Sequence, residues 1–316
     1  MSSQANKPSV SGLGTPTPGR AILWAVPRSR SSILAKCLAA MPETSVWFAN
    51  YMLADWVNRV YVEQTGEDLP AEYCGNEAAY AKAAELMVNL KHFKASPERM
   101  GYGDVKRQIE SDDSKYVFVK DQAHGVFSER ARQFVPAGFN HVFLIRDPTR
   151  VFSSIQNAMV RILGERGENT DNLNIFRDDP CIYEHLELYK AQHDLWQYVR
   201  KQTGSEPLII DSHDMATNPR PIVKEVCDRV GFPYQESLLS WQPSGLLTTG
   251  WKLPTPHYMY SHQQYYTSAL KSTCFVSPGE EGAGPIPRDQ LTDDLIECVD
   301  VSMPYYQEMS KHKFKV

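Results

Sequence analysis

Residues 27–32 (PRSRSS) place two arginines and three serines between an apolar run and a helical pattern. The run 21–26 (AILWAV) predicts a buried strand, and a helix is expected from about Ser31. Unpaired backbone N–H groups at a helix N-terminus favour an anion, and Arg28 and Arg30 add two planar sets of charged donors. This loop therefore predicts a phosphate or sulfate site. The alternative is an ordinary helix start with two solvated arginines, although cations disfavour that end of a helix when no anion is present.

A third arginine follows a second apolar run. The run 141–145 (HVFLI) predicts a strand, and Arg146 comes directly after it. Asp147 is typical of a helix N-cap and Pro148 of the first helical position. Ser154 lies eight residues beyond Arg146, on the second turn of the expected helix. This spacing makes Arg146 and Ser154 candidates for a second anion contact, and a capped helix beside a surface ion pair is the alternative.

Groups that could transfer a proton follow a third apolar run. The run 116–119 (YVFV) predicts a strand, and Lys120, Asp121 and His124 come after it. Ligands of α/β proteins bind at the carboxyl ends of the strands, where these side chains are expected. His124 is the first candidate for a general base and Asp121 the second, with Lys120 as a cation beside them. A histidine without a catalytic role is an equal alternative.

The elements that must position these groups alternate along the chain. Short, continuously apolar runs predict strands covered on both faces, and longer amphipathic stretches between them predict helices. Such alternation predicts an α/β fold of three layers, in which helices flank a central parallel β-sheet. The strands are expected at 21–26, 44–48, 116–119, 141–145 and 207–210, and the helices at 31–40, 78–91, 148–163, 183–201, 219–230 and around 289–311.

Composition limits the class of protein. The 316 residues carry 33 Lys and Arg against 38 Asp and Glu, and this net charge of −5 argues against a dedicated nucleic-acid partner. No apolar run has the roughly 18 residues that a membrane span needs. Residues 1–20 predict a disordered tail without a signal peptide, and 21–316 a single domain. The Gly-, Pro- and Tyr-rich segment 243–284 is expected to be a loop or lid on the substrate side.

The loop 27–32 resembles the 5′-phosphosulfate loop of the sulfotransferases, which use 3′-phosphoadenosine-5′-phosphosulfate (PAPS) as donor on a P-loop-like α/β sheet. Five positions of this chain match that loop, and Arg30 replaces its usual glycine, as in a divergent Pro-Arg-Ser-Arg-Ser branch. The matching positions are Pro27, Arg28, Ser29, Ser31 and Ser32. The segments 208–234 and 257–276 resemble further parts of the family, and Ser and Lys positions of the second lie near the donor there.

The resemblance implies roles for the candidate residues. Loop residues 28–32 are expected to bind the phosphosulfate, while Arg146 and Ser154 bind the 3′-phosphate. Arg28 stands where the family commonly has a catalytic lysine, Lys120 is expected to assist the sulfuryl group, and His124 to be the base. The family needs no metal, and none is expected here. PAP, the bisphosphate left after transfer, is the expected product.

The acceptor implied by the resemblance is a hydroxyl or amine of a small organic molecule. Where the divergent branch often has Glu-Pro-Phe, this chain has 48–51 (FANY), so an acceptor role for that glutamate is missing. Aromatic and histidine side chains of the segment 243–284 suit a small-molecule pocket, and packing of the loop on the core explains them equally well. They are Trp251, His257, Tyr258, Tyr260, His262, Tyr265 and Tyr266.

Two other functions compete with a sulfotransferase. A P-loop kinase or NTPase could use 208–211 (LIID) as its Walker-B strand, but the chain lacks the GK[ST] signature after its first strand. A catalytically silent relative would bind PAP and act through partners. The six widely spaced cysteines lack zinc-ligand or disulfide spacing, which favours a reduced, cytoplasmic compartment.

Overall fold

The core of the protein is a sheet of five parallel strands in the computed structural model, which describes residues 12–91, 93–179, 184–243, 250–255, 258–277, 279 and 284–316. For residues 91 and 258–264 the description covers the backbone alone. The strand order is β2-β3-β1-β4-β5, and every neighbouring pair is parallel. The strands are β1 (Arg20–Ala25), β2 (Thr44–Phe48), β3 (Tyr116–Asp121), β4 (Asn140–Ile145) and β5 (Leu208–Asp211).

Helices connect the strands and cover both faces of the sheet. The α-helices are α1 (Ser31–Ala39), α2 (Asn50–Thr65), α3 (Glu77–Lys91), α4 (Tyr102–Glu110), α5 (Glu129–Arg132), α6 (Pro148–Glu165), α7 (Ile175–Asp178), α8 (Leu188–Thr203), α9 (Ser212–Thr217), α10 (Pro219–Val230), α11 (Tyr258–Lys271) and α12 (Asp293–Lys311). Short 3₁₀ turns lie at Pro97–Arg99, Ala123–Val126, His185–Glu187, Glu236–Leu239 and Arg288–Gln290.

Alternation along β1 shows how the two faces are filled. Ile22 and Trp24 pack on one side with residues of α4 and α8, while Leu23 packs on the other side with residues of α1 and α10. Because both faces are buried, the strands are continuously apolar, as the sequence predicted. The predicted three-layer α/β fold with a parallel sheet is therefore confirmed.

The segment before β1 differs from the prediction of a tail up to residue 20. Leu13 is buried in the core, and its carbonyl accepts a hydrogen bond from the backbone N–H of Gly138. Thr17 donates its backbone N–H to the carbonyl of Gly138, and β1 already includes Arg20. For residues 12–20 the tail prediction is wrong, because the buried side chain of Leu13 and these backbone hydrogen bonds attach this short stretch to the domain.

The strand order brings the candidate residues together at the carboxyl ends of the strands. β1 lies between β3 and β4, and these three parallel strands end at the same side of the sheet. After β1 the chain continues through α1 to β2 on one side of the sheet. After β4, the other neighbour of this point, it continues to β5 on the opposite side. Such a topological switch point opens a crevice at the carboxyl ends of the strands. The residues that follow β1, β3 and β4 are therefore neighbours.

Candidate active site

The loop between β1 and α1 has a backbone suited to anions. Arg28 and Arg30 have positive φ angles of 59° and 66°, on either side of Ser29. Alternation of left-handed with ordinary residues turns successive N–H groups toward one concave side. Arg30 is the residue before the first turn of α1, and no side chain caps that turn. Arg30 thus adopts a left-handed conformation, which glycine takes with the least strain.

The three arginines are held close together by defined contacts. Arg28 Nε donates to Ser154 Oγ over 3.1 Å, and Arg146 donates to the carbonyl oxygen of Arg28. Arg30 donates to the carbonyl oxygen of Ser212 over 3.2 Å. Burial is the main reason that the pKa of Arg146 is lowered to about 10. The positive charges of Arg30, Arg28 and Arg150 contribute to the same shift. Mutual repulsion among these cations is what a bound polyanion would relieve.

A cavity of about 280 Å³ lies in front of this loop. Seven residues named from the sequence as site candidates line it: Arg28, Arg30, Ser31, Ser32, Lys120, Arg146 and Ser154. Ser29 does not line it, because its buried hydroxyl donates to the carbonyl oxygen of Val26 over 2.7 Å. Ser29 therefore shapes the loop from inside. Gln122 and Ser268 also line the cavity and were not named as site residues from the sequence.

Lys120 is the titratable amine of this cavity. Its Nζ lies 4.4 Å from the centre of the Phe48 ring, and burial lowers the pKa of the amine to about 8 although Asp121 opposes that shift. Phe48 contacts the rings of Trp251 and Tyr266 at 5.4 and 5.6 Å between centroids. The amine therefore lies between a cluster of guanidinium groups and an aromatic wall. A lysine in such a place alternates between a charged and a neutral form near physiological pH.

The two candidate bases lie elsewhere. The Asp121 carboxylate accepts hydrogen bonds from the backbone N–H groups of Tyr51 and Met52 at 2.7 and 3.1 Å, in the first turn of α2. It stabilises the start of that helix. His124 is buried in the 3₁₀ turn after β3 and is not among the residues that line the 280 Å³ cavity. Burial lowers its pKa to about 3, with contributions from Arg59 and Lys120, so its imidazole is neutral at pH 7.

Helix α11 covers the cavity from the segment predicted as a loop. Tyr265, Tyr266, Ser268 and Ala269 line the cavity, and Arg28 donates to the carbonyl oxygen of Tyr265. Lys36 of α1 donates to the carbonyl oxygens of Ala269 and Ser272 at 2.8 and 3.1 Å, at the C-terminal end of α11. A cation at this end satisfies carbonyl groups that have no helical partner. At 258–271 the segment is therefore a helix rather than an irregular loop, and its expected role as a lid on the substrate side stays a prediction.

The remaining aromatic candidates divide between described and undescribed positions. Trp251 lies on Phe48, and the neighbouring Lys252 forms a 2.7 Å ion pair with buried Asp112. His257 lies outside the described residues, and so do the side chains of Tyr258, Tyr260 and His262.

A second cavity of about 180 Å³ adjoins the first and shares Arg30 and Arg146 with it. Arg150, His213 and Lys313 add further basic side chains to its lining, beside Asp147, Asp211 and Asp214. Asp211, the aspartate of the Walker-B alternative, accepts the N–H of His213 over 2.7 Å and the hydroxyl of Tyr306 over 3.1 Å. It thus caps α9.

The described residues include neither a group of metal ligands nor a membrane-spanning helix. No three His, Cys, Asp or Glu side chains among them group closely enough to hold a metal ion. Within the same ranges, no helix combines the length and apolar character that crossing a membrane requires.

Known proteins resemble this chain as follows. The family model described as "Sulfotransferase domain" matches residues 177–313, a stretch of the chain that includes both C-terminal segments for which the sequence predicted a resemblance to sulfotransferases. The loop 27–32, Lys120 and Arg146 precede that match. The curated relative, Branched-chain-amino-acid aminotransferase-like protein 2 of Arabidopsis thaliana, is 23% identical over 256 residues, which are 81% of this chain and 36% of that protein. This chain thus spans about a third of the length of that relative, whose name refers to a different chemistry.

Two solved structures align with most of this chain at low sequence identity. The sulfotransferase domain from the Synechococcus PCC 7002 olefin synthase has a TM-score of 0.47 and 13% identity, with 92% of this chain and 95% of that chain covered. The sulfotransferase domain from the curacin biosynthetic pathway has a TM-score of 0.45 and 14% identity, with coverages of 94% and 99%.

Proposed function

We propose that this chain, which matches the sulfotransferase family over residues 177–313, transfers a sulfuryl group from PAPS to a hydroxyl or amine of a small organic acceptor. One observation carries the proposal: Arg28, Arg30 and Arg146 converge on one cavity at the N-terminus of α1. Arg146 is electrostatically disfavoured by Arg28 and Arg30, and PAPS would supply a phosphosulfate and a phosphate to offset these charges. The net charge of −5 is compatible with this donor, because the cations are concentrated locally.

The two neighbouring cavities support a donor with charge at both ends. The larger cavity contains the loop after β1 and would take the phosphosulfate. The smaller one adds Arg150, His213 and Lys313 to the shared Arg30 and Arg146, beside three aspartates, and would take the remainder of the nucleotide. Two adjoining sites with basic side chains fit a donor that is charged at two positions better than a simple phosphate ester.

The reaction needs charge stabilisation and one proton transfer. The acceptor oxygen or nitrogen forms a bond to sulfur while the bond from sulfur to the bridging phosphate oxygen breaks, and PAP leaves with the added charge. Arg28 stabilises that charge, because its guanidinium lies at the cavity and is oriented by Ser154. The acceptor proton passes to a base, for which neutral Lys120 is placed in the cavity wall. The aromatic wall of Phe48, Trp251 and Tyr266 suits the organic body of the acceptor.

A nucleotide-binding assay tests the donor and the competing functions. We expect PAP and PAPS to raise the melting temperature in the absence of Mg²⁺, and ATP and GTP to do so much less. Stabilisation by ATP with Mg²⁺ and no response to PAP would contradict the proposal and favour a kinase or NTPase. Turnover of sulfur-labelled PAPS with a panel of phenols and amines separates an enzyme from a silent PAP-binding protein.

The left-handed conformation of Arg30 allows its charge and its backbone to be tested separately. We expect Arg30→Gly and Arg30→Ala to weaken PAP binding equally, by about 10- to 100-fold, through loss of a charge-assisted contact. Only Arg30→Ala keeps a Cβ at φ 66°, which costs about 1–2 kcal/mol. Arg30→Gly should therefore melt at a higher temperature than Arg30→Ala in a thermal denaturation series. Equal melting temperatures would show that the loop relaxes away from this conformation.

A further inference from the structure

Two walls of the 280 Å³ cavity come from helices that are far apart in the chain. The first turn of α1 contributes Ser31 and Ser32, while α11 contributes Ser268 and Ala269. A ligand that touches both helices depends on the distance between them. Lys36 of α1, which is not among the residues that line the cavity, connects the two helices.

The ammonium of Lys36 contacts the carbonyl groups at the C-terminal end of α11. Its Nζ donates to the carbonyl oxygens of Ala269, Leu270 and Ser272 at 2.8, 3.4 and 3.1 Å. Lys36 is 7% exposed, and burial lowers the pKa of its amine. No carboxylate of the described residues forms an ion pair with this ammonium, so its partners there are the carbonyl dipoles of one helix end.

The end of α11 has other contacts that hold it in place. The hydroxyl of Ser272 donates to the carbonyl oxygen of Ala269 over 2.7 Å, and Trp241 Nε1 donates to the carbonyl oxygen of Ser272 over 2.9 Å. Burying a charge costs free energy, and apolar side chains of similar size often replace buried charges without loss of stability. These contacts favour a role for the cation of Lys36 other than stabilising the fold.

The position of Lys36 on α1 links that role to the cavity. It lies four residues beyond Ser32, which is about 6 Å further along the helix. Ala269, whose carbonyl oxygen it binds, also lines the cavity. Loss of the contact between the ammonium and α11 would therefore release one wall, while the loop 27–32 keeps its own contacts.

We propose that Lys36 is a positioning residue of the donor site, which holds α11 at a fixed distance from the loop 27–32. This inference rests on the proposed function, because it assumes a donor that contacts both walls. A small anion held by the loop alone does not need α11. The affinity for PAP should therefore depend on Lys36, and the affinity for inorganic sulfate should not.

Hydrogen exchange and ligand titrations of Lys36→Met protein test this role. We expect the amides of 265–271 to exchange about tenfold faster than in the unmodified protein, at a similar melting temperature. PAP should bind about tenfold more weakly, while the affinity for sulfate stays within about twofold. Both affinities are measured from the rise in melting temperature with ligand concentration.

Two further variants control for charge and for fold. Lys36→Arg keeps a cation that can donate to the same carbonyl groups, and should recover part of the PAP affinity. Lys224→Met makes the same change as Lys36→Met at an exposed position of α10, and should alter neither the exchange of 265–271 nor PAP binding.

Two results would overturn the proposal. Unchanged exchange of 265–271 in folded Lys36→Met protein would show that Lys36 does not fix α11. Equal losses of PAP and sulfate affinity would show that the substitution disturbs the loop itself. If the unmodified protein binds sulfate but not PAP, the proposed donor is contradicted, and the exchange rates still decide whether Lys36 fixes α11.

Discussion

Replacing Arg28 with methionine is expected to reduce the turnover of PAPS by about 10²- to 10³-fold, the usual cost of removing one donor that stabilises transition-state charge. Methionine keeps much of the apolar stem and removes the guanidinium. That group now contacts Ser154 Oγ and the carbonyl oxygen of Tyr265 at the edge of the cavity. The measurement is kcat and KM with sulfur-labelled PAPS and one acceptor.

The matched control is Arg220→Met, which makes the same change at an exposed position of α10 and should leave turnover unchanged. Arg28→Lys restores a point charge without the Nε contact to Ser154, and is expected to recover part of the rate. Turnover by Arg28→Met within threefold of the unmodified protein would show that Arg28 does not contact the reacting group. A thermal melt of each variant separates loss of activity from loss of fold.

Replacing Lys120 is expected to reduce turnover by about 10²- to 10⁴-fold, the contribution of a positioned proton acceptor. Lys120→Arg keeps a cation in the cavity but cannot lose its proton near neutral pH, and Lys120→Met removes the charge altogether. If Lys120 is the base, both variants lose activity. If it serves as a cation alone, Lys120→Arg retains most of it. The two rates, measured at pH 8.5, decide between these roles.

The pH dependence gives an independent measure of the same group. The pKa of Lys120 is lowered to about 8, so its amine is mostly charged below that pH and mostly neutral above it. A base acts in its neutral form, so kcat/KM should rise with pH and level off above about 8. Bound PAPS is negatively charged and favours the ammonium form, so the rise in kcat should occur at higher pH than the rise in kcat/KM.

His124→Asn is the comparison that tests the assignment made from the sequence. Because His124 is not among the residues that line the donor cavity, this variant should keep most of its activity and the same pH profile. Loss of activity in a folded His124→Asn protein, together with an active Lys120→Arg protein, would return the role of base to His124.

The parts of the site that lie within one strand and the following turn could be predicted from the sequence. The strand ending near Val26, the polar loop with its two arginines and the capped start of α6 follow from local rules, because an apolar run, a polar turn and a Pro after an Asp act over a few residues. The structure places Arg28 against Ser154, 126 residues apart, as expected from two strands that end at the same edge.

The parts that depend on distant segments could not be predicted. The carboxylate of Asp121 was a candidate base because it follows β3, yet its partners are N–H groups of α2, which the sequence analysis did not identify. Similarly, α11 has an ambiguous periodicity, and its position depends on contacts with Arg28 and Lys36. Its stretch 258–271 contains neither glycine nor proline, which was the available sign of a helix.

The contact between Arg28 and the Tyr265 carbonyl spans 237 residues, and this separation has a consequence for the newly made chain. At a typical synthesis rate of 5–20 residues per second, the ribosome adds the second partner roughly 10–50 s after the first. During that interval the loop after β1 exists without the helix that covers it. A nascent chain ending before α11 therefore has its arginines but not the helix that completes the cavity, and the proposed donor site is complete only late in biosynthesis.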